Sequence, residues 1–336
     1  MKEDYIKIFI DDEYPSFISD YLKTKSFKRL KYITQFCGCD YSKLYSPKFM
    51  YTRYDHSIVV AHMTWHFTHN KKETLAALLH DIGTPAFSHT IDYVLGDYLN
   101  QESSEIKLSD VIKEDKDLME LLRRDGIDIY EFDDLKKYHI LENSKPFLCT
   151  DRLDGVLGTC YIWIHKDNIK EIEEVYKDLE VLKNENNIDE IGFKDIAIAE
   201  KFSNMVYEYA LEVQCDKDKY VMQYISDVIK QSIDKKLFDI NYLYSCKEKD
   251  LINIFRHNFK SWDVFEKSTK VITSNNIPDC YCVSFETKKR NTIPLVSYNN
   301  KIYRIDNISN YAKELHLKYD GYKSSKYIYV QGIKNI

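Results

Sequence analysis

Glycine and proline are scarce in this chain, 9 and 6 among 336 residues. That scarcity argues against long linkers and favours a helical body. No apolar run approaches the ~20 residues of a membrane span. The opening residues, Met-Lys-Glu-Asp-Tyr5, lack the apolar core of a signal peptide. The expectation is therefore a cytoplasmic protein with no membrane partner. None of the eight cysteines forms a CxxC pair, so they read as reduced thiols. The pairs Cys37-Gly-Cys39 and Cys280-Tyr-Cys282 are the residual zinc alternative. A net charge of −6 lacks the basic footprint of a protein that coats nucleic acid, but it leaves room for a local pocket that takes one phosphorylated small molecule.

What is present is mostly helical periodicity. Apolar positions at helical spacing run through 15–36, including Phe17, Tyr21, Phe27, Leu30 and Ile33. Further helical patterns cover about 55–69, 73–80, 90–100, 103–123, 151–166, 168–184, 194–213, 220–233 and 247–259. Beyond Pro278 the character changes. Segments 280–288, 292–297, 301–305 and 326–330 alternate or carry β-branched and aromatic residues, with Tyr298-Asn-Asn300 as a turn. The expected class is mainly α, a helical body over 1–260 followed by a small β-containing appendage over 261–336. The 28 tyrosines read as compositional drift.

The chemistry centres on His80-Asp81, which closes the apolar run Thr74-Leu-Ala-Ala-Leu-Leu79 and opens the turn Ile82-Gly-Thr-Pro85. Adjacent helical side chains diverge by ~100°, so both can face one ion only if the helix ends there, and the turn supplies that ending. With His56 upstream and Asp151 downstream, two imidazoles and two carboxylates can hold one divalent cation (Mn, Fe, Mg, Co, Ni or Zn) with positions left open. Metal-assisted hydrolysis needs that arrangement. His62, His66 and His69 share the first of these helices, but without a zincin glutamate they read as packing or surface residues.

Four stretches resemble the HD superfamily of metal-dependent phosphohydrolases, and within it the deoxynucleoside triphosphate triphosphohydrolases. They are Phe27-Lys-Arg-Leu-Lys-Tyr-Ile-Thr-Gln35, Arg53-Tyr-Asp-His56-Ser, His80-Asp81-Ile-Gly-Thr-Pro-Ala-Phe-Ser-His89 running on to Asp92, and Asp151-Arg-Leu-Asp154. The likeness covers roughly residues 20–160. It implies a helical bundle fold with His56, His80, Asp81 and Asp151 as metal ligands. It also implies that Arg53 and Arg152 contact phosphate oxygens, that His89 serves the phosphate site as donor or acid with Asp92 orienting it, and that Gln35 lies near the base or sugar. The plainer alternative for the two arginines is an ion pair with Asp55 or Asp154. Dimers or larger homo-oligomers are implied in the same way.

Several positions depart from that family. Thr84 stands where another histidine is usual, and Gln101-Glu102 where a catalytic His-Glu pair is usual. Gly155 and Thr159 stand where a sugar-sensing tyrosine and aspartate are usual. Glutamine cannot protonate a leaving group, and His139 is the remaining candidate acid. The expectation is a metal-dependent phosphohydrolase acting on a nucleotide or related phosphate ester, with triphosphohydrolase first and monophosphatase or phosphodiesterase next. The alternatives are a nucleotide sensor without turnover and a partner-binding module built on 278–336.

Overall fold

A computed structural model describes residues 1–10, 14–96, 108–164, 168–285 and 289–336. Helix outweighs strand, 55% against 9%, so the chain is mainly α with small sheets. Among the described residues no helix is long and apolar enough to cross a membrane.

Local sequence sets the helix ends that matter for the site. Thr52 and Asp55 form a capping box at the head of the Arg53–Thr68 helix, each side chain meeting the other's backbone N–H. His69 ends that helix in the left-handed region, at φ 48°. Asn70 then caps the Lys71–Leu79 helix by accepting from the backbone N–H of Lys72 and Glu73. His80 is the C-cap, so the helix stops at His80-Asp81, as the spacing requires.

The Arg53–Thr68 helix lies between two apolar clusters. Val59 and Met63 belong to the larger one and Val60 and Ala61 to the smaller. The helix is therefore buried on nearly every face, and its polar residues Arg53, Asp55 and His56 are desolvated. A buried ionic group needs a partner, and each of these has one. Every residue from Glu73 to Leu79 in the neighbouring helix is also buried. Each large aliphatic side chain there contributes about 1.5–3 kcal/mol by its burial.

Several expected elements differ. The single pattern over 15–36 resolves into short helices Ile18–Tyr21 and Lys25–Arg29 with a 3₁₀ turn. The helix expected over 168–184 ends at Lys177. It gives way to β1 (Leu179–Lys183), which pairs antiparallel with β2 (Asp189–Phe193). Val181 and Lys183 are exposed while Glu180 and Leu182 are half-buried, and a turn at Asn184–Asn187 reverses the chain, so the period of two wins over the helical reading. Helices Lys2–Lys7, Lys260–Lys267 and Asn310–Asp320 were not among the expected elements.

The remaining strands are β3 (Ile272–Ser274), β4 (Cys282–Val283), β5 (Leu295–Tyr298), β6 (Lys301–Arg304) and β7 (Tyr327–Tyr329). They form two sheets, ordered β1-β2-β5-β6 and β3-β7-β4. β5 pairs parallel with β2, placing Leu295 beside Gly192, so residues near 295 share a sheet with residues near 190. Val283, Val296, Ile305 and Ile328 lie in the same apolar cluster as Val59 and Leu153. All eight cysteines are free thiols.

Candidate metal centre

The Arg53–Thr68 helix brings in His56, the end of the Lys71–Leu79 helix brings in His80 and Asp81, and the first turn of the Thr150–Thr159 helix brings in Asp151. The compact group is His56, His80 and Asp151, whose ligand atoms all lie within 4.8 Å of one another, and which could hold a metal ion. The Asp151 carboxylate is 3.0 Å from His56 Nε2 and 3.6 Å from His80 Nε2. Asp81 Oδ2 lies 3.4 Å from His80 Nε2 and 3.8 Å from His56 Nε2. Donor atoms ~2.1 Å from one ion stand roughly 3 to 4 Å apart, so His56, His80 and Asp151 are spaced as ligands would be, with Asp81 beside the two histidines but outside that compact group.

The histidine tautomers carry the chemical information. His56 Nδ1 faces Asp154 Oδ2 at 2.5 Å, and His80 Nδ1 faces the Ala77 carbonyl at 2.6 Å. A ring nitrogen that meets a carboxylate or carbonyl donates, so each Nδ1 carries a proton and each Nε2 is the position that a cation can take in place of a proton. Both Nε2 atoms face the same two carboxylates. His80 Nε2 is buried with no hydrogen-bond partner. Such an atom needs an explanation, and a cation shared with Asp151 provides one.

The electrostatics agree. Burial works against a charged imidazole, but hydrogen bonds donated to Asp151 and Asp154 outweigh it and push His56 up to about 10. His80 is raised too, burial opposing and Asp81 and Asp151 prevailing. Burial works against the Asp81 charge as well, yet Arg53 and the two histidines hold the carboxyl well below the usual carboxylate range. The cluster draws positive charge, whether a proton or a metal.

Asp154 is the hub behind His56. Besides the imidazole it accepts from the Tyr5 hydroxyl at 2.7 Å and from the Tyr51 hydroxyl at 3.0 and 3.2 Å. Tyr5 sits on the N-terminal helix, stacked on Tyr161. Gly158 allows this approach, since a Cβ there would stand 3.3 Å from the Tyr5 hydroxyl oxygen. Thr84 donates to Asp81 Oδ1 at 2.8 Å and so fixes the second carboxylate. Arg29 ties down the turn by donating to the carbonyls of Ile82 and Thr84.

The two arginines expected at phosphate are engaged by the protein, and with different partners from the expected ones. Arg53 pairs with Asp81 at 2.8 Å and donates from Nε to Ser88 at 3.1 Å. The expected alternative, Asp55, instead pairs with Lys2. Arg152 donates to Asn143 Oδ1 and to the carbonyls of Asn143 and Phe147. It braces the loop before its own helix, because a guanidinium fork can satisfy several carbonyls at once. His89 Nδ1 meets Asp92 at 3.1 Å. Burial and the nearby Arg53 outweigh Asp92 and lower the His89 pKa, so the ring is neutral at pH 7. Its Nε2 then presents a lone pair, making it an acceptor rather than the expected donor or acid.

His80, Asp81, Asp151, Asp154, Arg53, Arg152 and His89 line one cavity of about 370 Å³, while His56, Asp92 and Thr84 stand behind it. Gln35 is in that lining, and its Oε1 is buried without a partner. Gly155 and Thr159 lie on the same wall. The Thr159 hydroxyl is turned back onto the Gly155 carbonyl at 2.8 Å, and an added Cβ at Gly155 would meet nothing within 4 Å. His139 is exposed, His62 packs against Tyr14 and His66 against Tyr176. Gln101 and Glu102 fall outside the described residues. Tyr5, Tyr51 and Arg290, which also line or support the site, carried no local signal. Tyr5 reaches Asp154 across 149 positions of sequence.

No protein-family model matches this chain. The uncharacterized protein YdhJ of Bacillus subtilis is 24% identical over 323 residues, which span 94% of this chain and 95% of that protein. A crystal structure of a hypothetical protein from Aquifex aeolicus superposes with a TM-score of 0.55 at 19% identity, covering 92% of this chain and 91% of the other. The fold therefore recurs over most of that protein.

Proposed function

We propose that this chain is a metal-dependent phosphohydrolase of the HD type, acting on a nucleotide or a related phosphate ester. The observation that carries the reading is the pair of histidines whose Nδ1 atoms are committed as donors while both Nε2 atoms converge on Asp81 and Asp151. The orphaned His80 Nε2 fits a metal ligand. A divalent cation held there supplies a Lewis acid for a phosphoryl oxygen and acidity for a water.

The chain's own residues do the rest. Asp154, braced by Tyr5 and Tyr51, fixes the His56 tautomer. Thr84 and Arg53 grip the Asp81 carboxylate from two sides and keep it ionised. His89, held by Asp92, offers a neutral acceptor at the cavity wall, suited to take a proton or orient a water. A cavity of about 370 Å³ is within the range of sites that bury small ligands.

The test is product analysis with Mn²⁺ across nucleoside mono-, di-, tri- and cyclic phosphates, with Asp81→Ala alongside. Product released by the native chain and absent from the variant is expected. Equal turnover in the variant, or none by the native chain on any substrate with any divalent metal, rejects the reading.

A further inference from the structure

Glu248 opens the Glu248–Asn258 helix, far beyond the last of the motifs in sequence, and its side chain is buried. Burying a carboxylate is costly unless donors meet it, and three do. Oε1 accepts from two backbone N–H groups at once, Thr34 at 3.1 Å and Phe87 at 2.9 Å, and Oε2 accepts from the Tyr41 hydroxyl at 2.7 Å. One carboxylate oxygen therefore joins two segments that are distant in sequence. Both reach the cavity wall: Gln35 follows Thr34, His89 comes two residues after Phe87, and both line the cavity.

The turn that Glu248 holds is an unusual one. Phe87 and Ser88 both stand in the left-handed region, at φ 62° and 48°. Residues with a Cβ keep that conformation only where their surroundings impose it. Here the constraint comes from one part of the chain. The Leu243 carbonyl accepts from the Ala86 N–H at 2.8 Å, Glu248 takes the Phe87 N–H, and the Phe87 ring stacks on Phe255 of the Glu248–Asn258 helix. Ser88 carries the constraint onward. Its hydroxyl accepts from Arg53 Nε at 3.1 Å and donates to the Thr34 carbonyl at 3.2 Å. The circuit closes on Thr34, the other residue whose N–H Glu248 holds.

We infer that Glu248 is a positioning residue: through the Thr34 and Phe87 amides it fixes where Ser88, and with it Arg53, and His89 stand beside the metal centre. Its part in turnover rests on the phosphohydrolase reading above; its hold on the Phe87–His89 turn does not. His56, His80 and Asp151 are carried by other elements, so loss of the Glu248 acceptor should disturb the cavity wall and leave the cation site in place.

The full chain would be compared with Glu248→Gln, Glu248→Ala and Glu248→Asp by Mn²⁺ calorimetry, by the imidazole ¹⁵N signals of His89, and by turnover per folded molecule of the nucleoside phosphate that the native chain cleaves with Mn²⁺. Glu248→Gln keeps an oxygen for both N–H groups and turns its amide toward a Tyr41 hydroxyl that can accept. It should hold kcat within about threefold and leave the His89 signals in place. Glu248→Ala should lower kcat at least tenfold, and up to about a hundredfold, as a misplacement on the order of 1 Å can. KM and Mn²⁺ affinity should stay within about threefold, and the His89 signals should move. Glu248→Asp keeps the charge but draws the oxygen back from both amides, so it should follow Glu248→Ala, and it answers the question where Glu248→Ala does not fold. Native kcat and unmoved His89 signals in either variant overturn the inference and leave Glu248 a support of stability alone. So does a loss in Glu248→Gln as large as in Glu248→Ala. If the native chain cleaves no nucleoside phosphate, the phosphohydrolase reading falls and the His89 signals decide: moved in Glu248→Asp and restored in Glu248→Gln, they uphold the positioning role, and unmoved they overturn it.

Discussion

Asp154 offers the sharpest test of how the metal centre is organised. It accepts from His56 at 2.5 Å, Tyr5 at 2.7 Å and Tyr51 at 3.0 and 3.2 Å. In Asp154→Asn one of these oxygens becomes an amide donor. If the amide nitrogen faced His56, two donors would collide and the ring would move its proton to Nε2, losing the ligand lone pair. The opposite orientation keeps the lone pair and asks only that the Tyr5 hydroxyl rotate to accept. The variant should adopt it, lose the charge that makes His56 more basic, and bind Mn²⁺ about tenfold more weakly, the low end for a supporting residue of a ligand. Asp154→Ala has no such escape. It leaves one imidazole N–H and two hydroxyls buried without an acceptor, at about 1–3 kcal/mol each. It should lower the unfolding free energy by roughly 3–9 kcal/mol and Mn²⁺ affinity by about a hundredfold. Calorimetric Mn²⁺ titration and urea unfolding of both variants read these values. Native-like Mn²⁺ affinity in folded Asp154→Ala would refute the tautomer argument.

Glu248 is wholly buried and accepts from the backbone N–H groups of Thr34 and Phe87 and from the Tyr41 hydroxyl. Burial pushes its carboxyl from the ordinary 4.5 up to about 7, against those hydrogen bonds. The folded state therefore binds the extra proton. This contribution is full below about 4.5 and is lost as pH rises through about 7, on the order of 3 kcal/mol at 1.36 kcal/mol per unit. Glu248→Gln keeps an acceptor for both N–H groups and should flatten that part of the pH–stability curve; an unchanged slope between pH 4.5 and 7 in urea unfolding would contradict it. Gly158→Ala should shift the Tyr5 hydroxyl by a few tenths of an ångström and lengthen its hydrogen bond to Asp154, because its Cβ would stand 3.3 Å from that oxygen. About 1 kcal/mol of stability and a severalfold loss of Mn²⁺ affinity should follow, and Tyr5→Phe should reproduce the metal effect without the steric one.

The sequence by itself determined the local events. The capping pair Thr52 and Asp55, the cap at Asn70 and the turn after Asp81 are written in neighbouring residues, because capping and helical period act over a few positions. They put His56 on one helix and His80-Asp81 at the end of the next, and so marked the metal-ligand candidates. The strand β1 reads as the end of a helix from sequence alone, and β2 was not among the expected elements, since short apolar segments satisfy either period and partners decide between them. Only the tertiary structure decided who satisfies each charge. Arg53 took Asp81, 28 residues away, rather than nearby Asp55, and Arg152 took the loop behind it. Tyr5 and Arg290 reached the site from outside the span of the motifs. Such partners are chosen by which buried charges lack compensation once helices distant in sequence have packed, and no pattern of neighbouring residues encodes that choice.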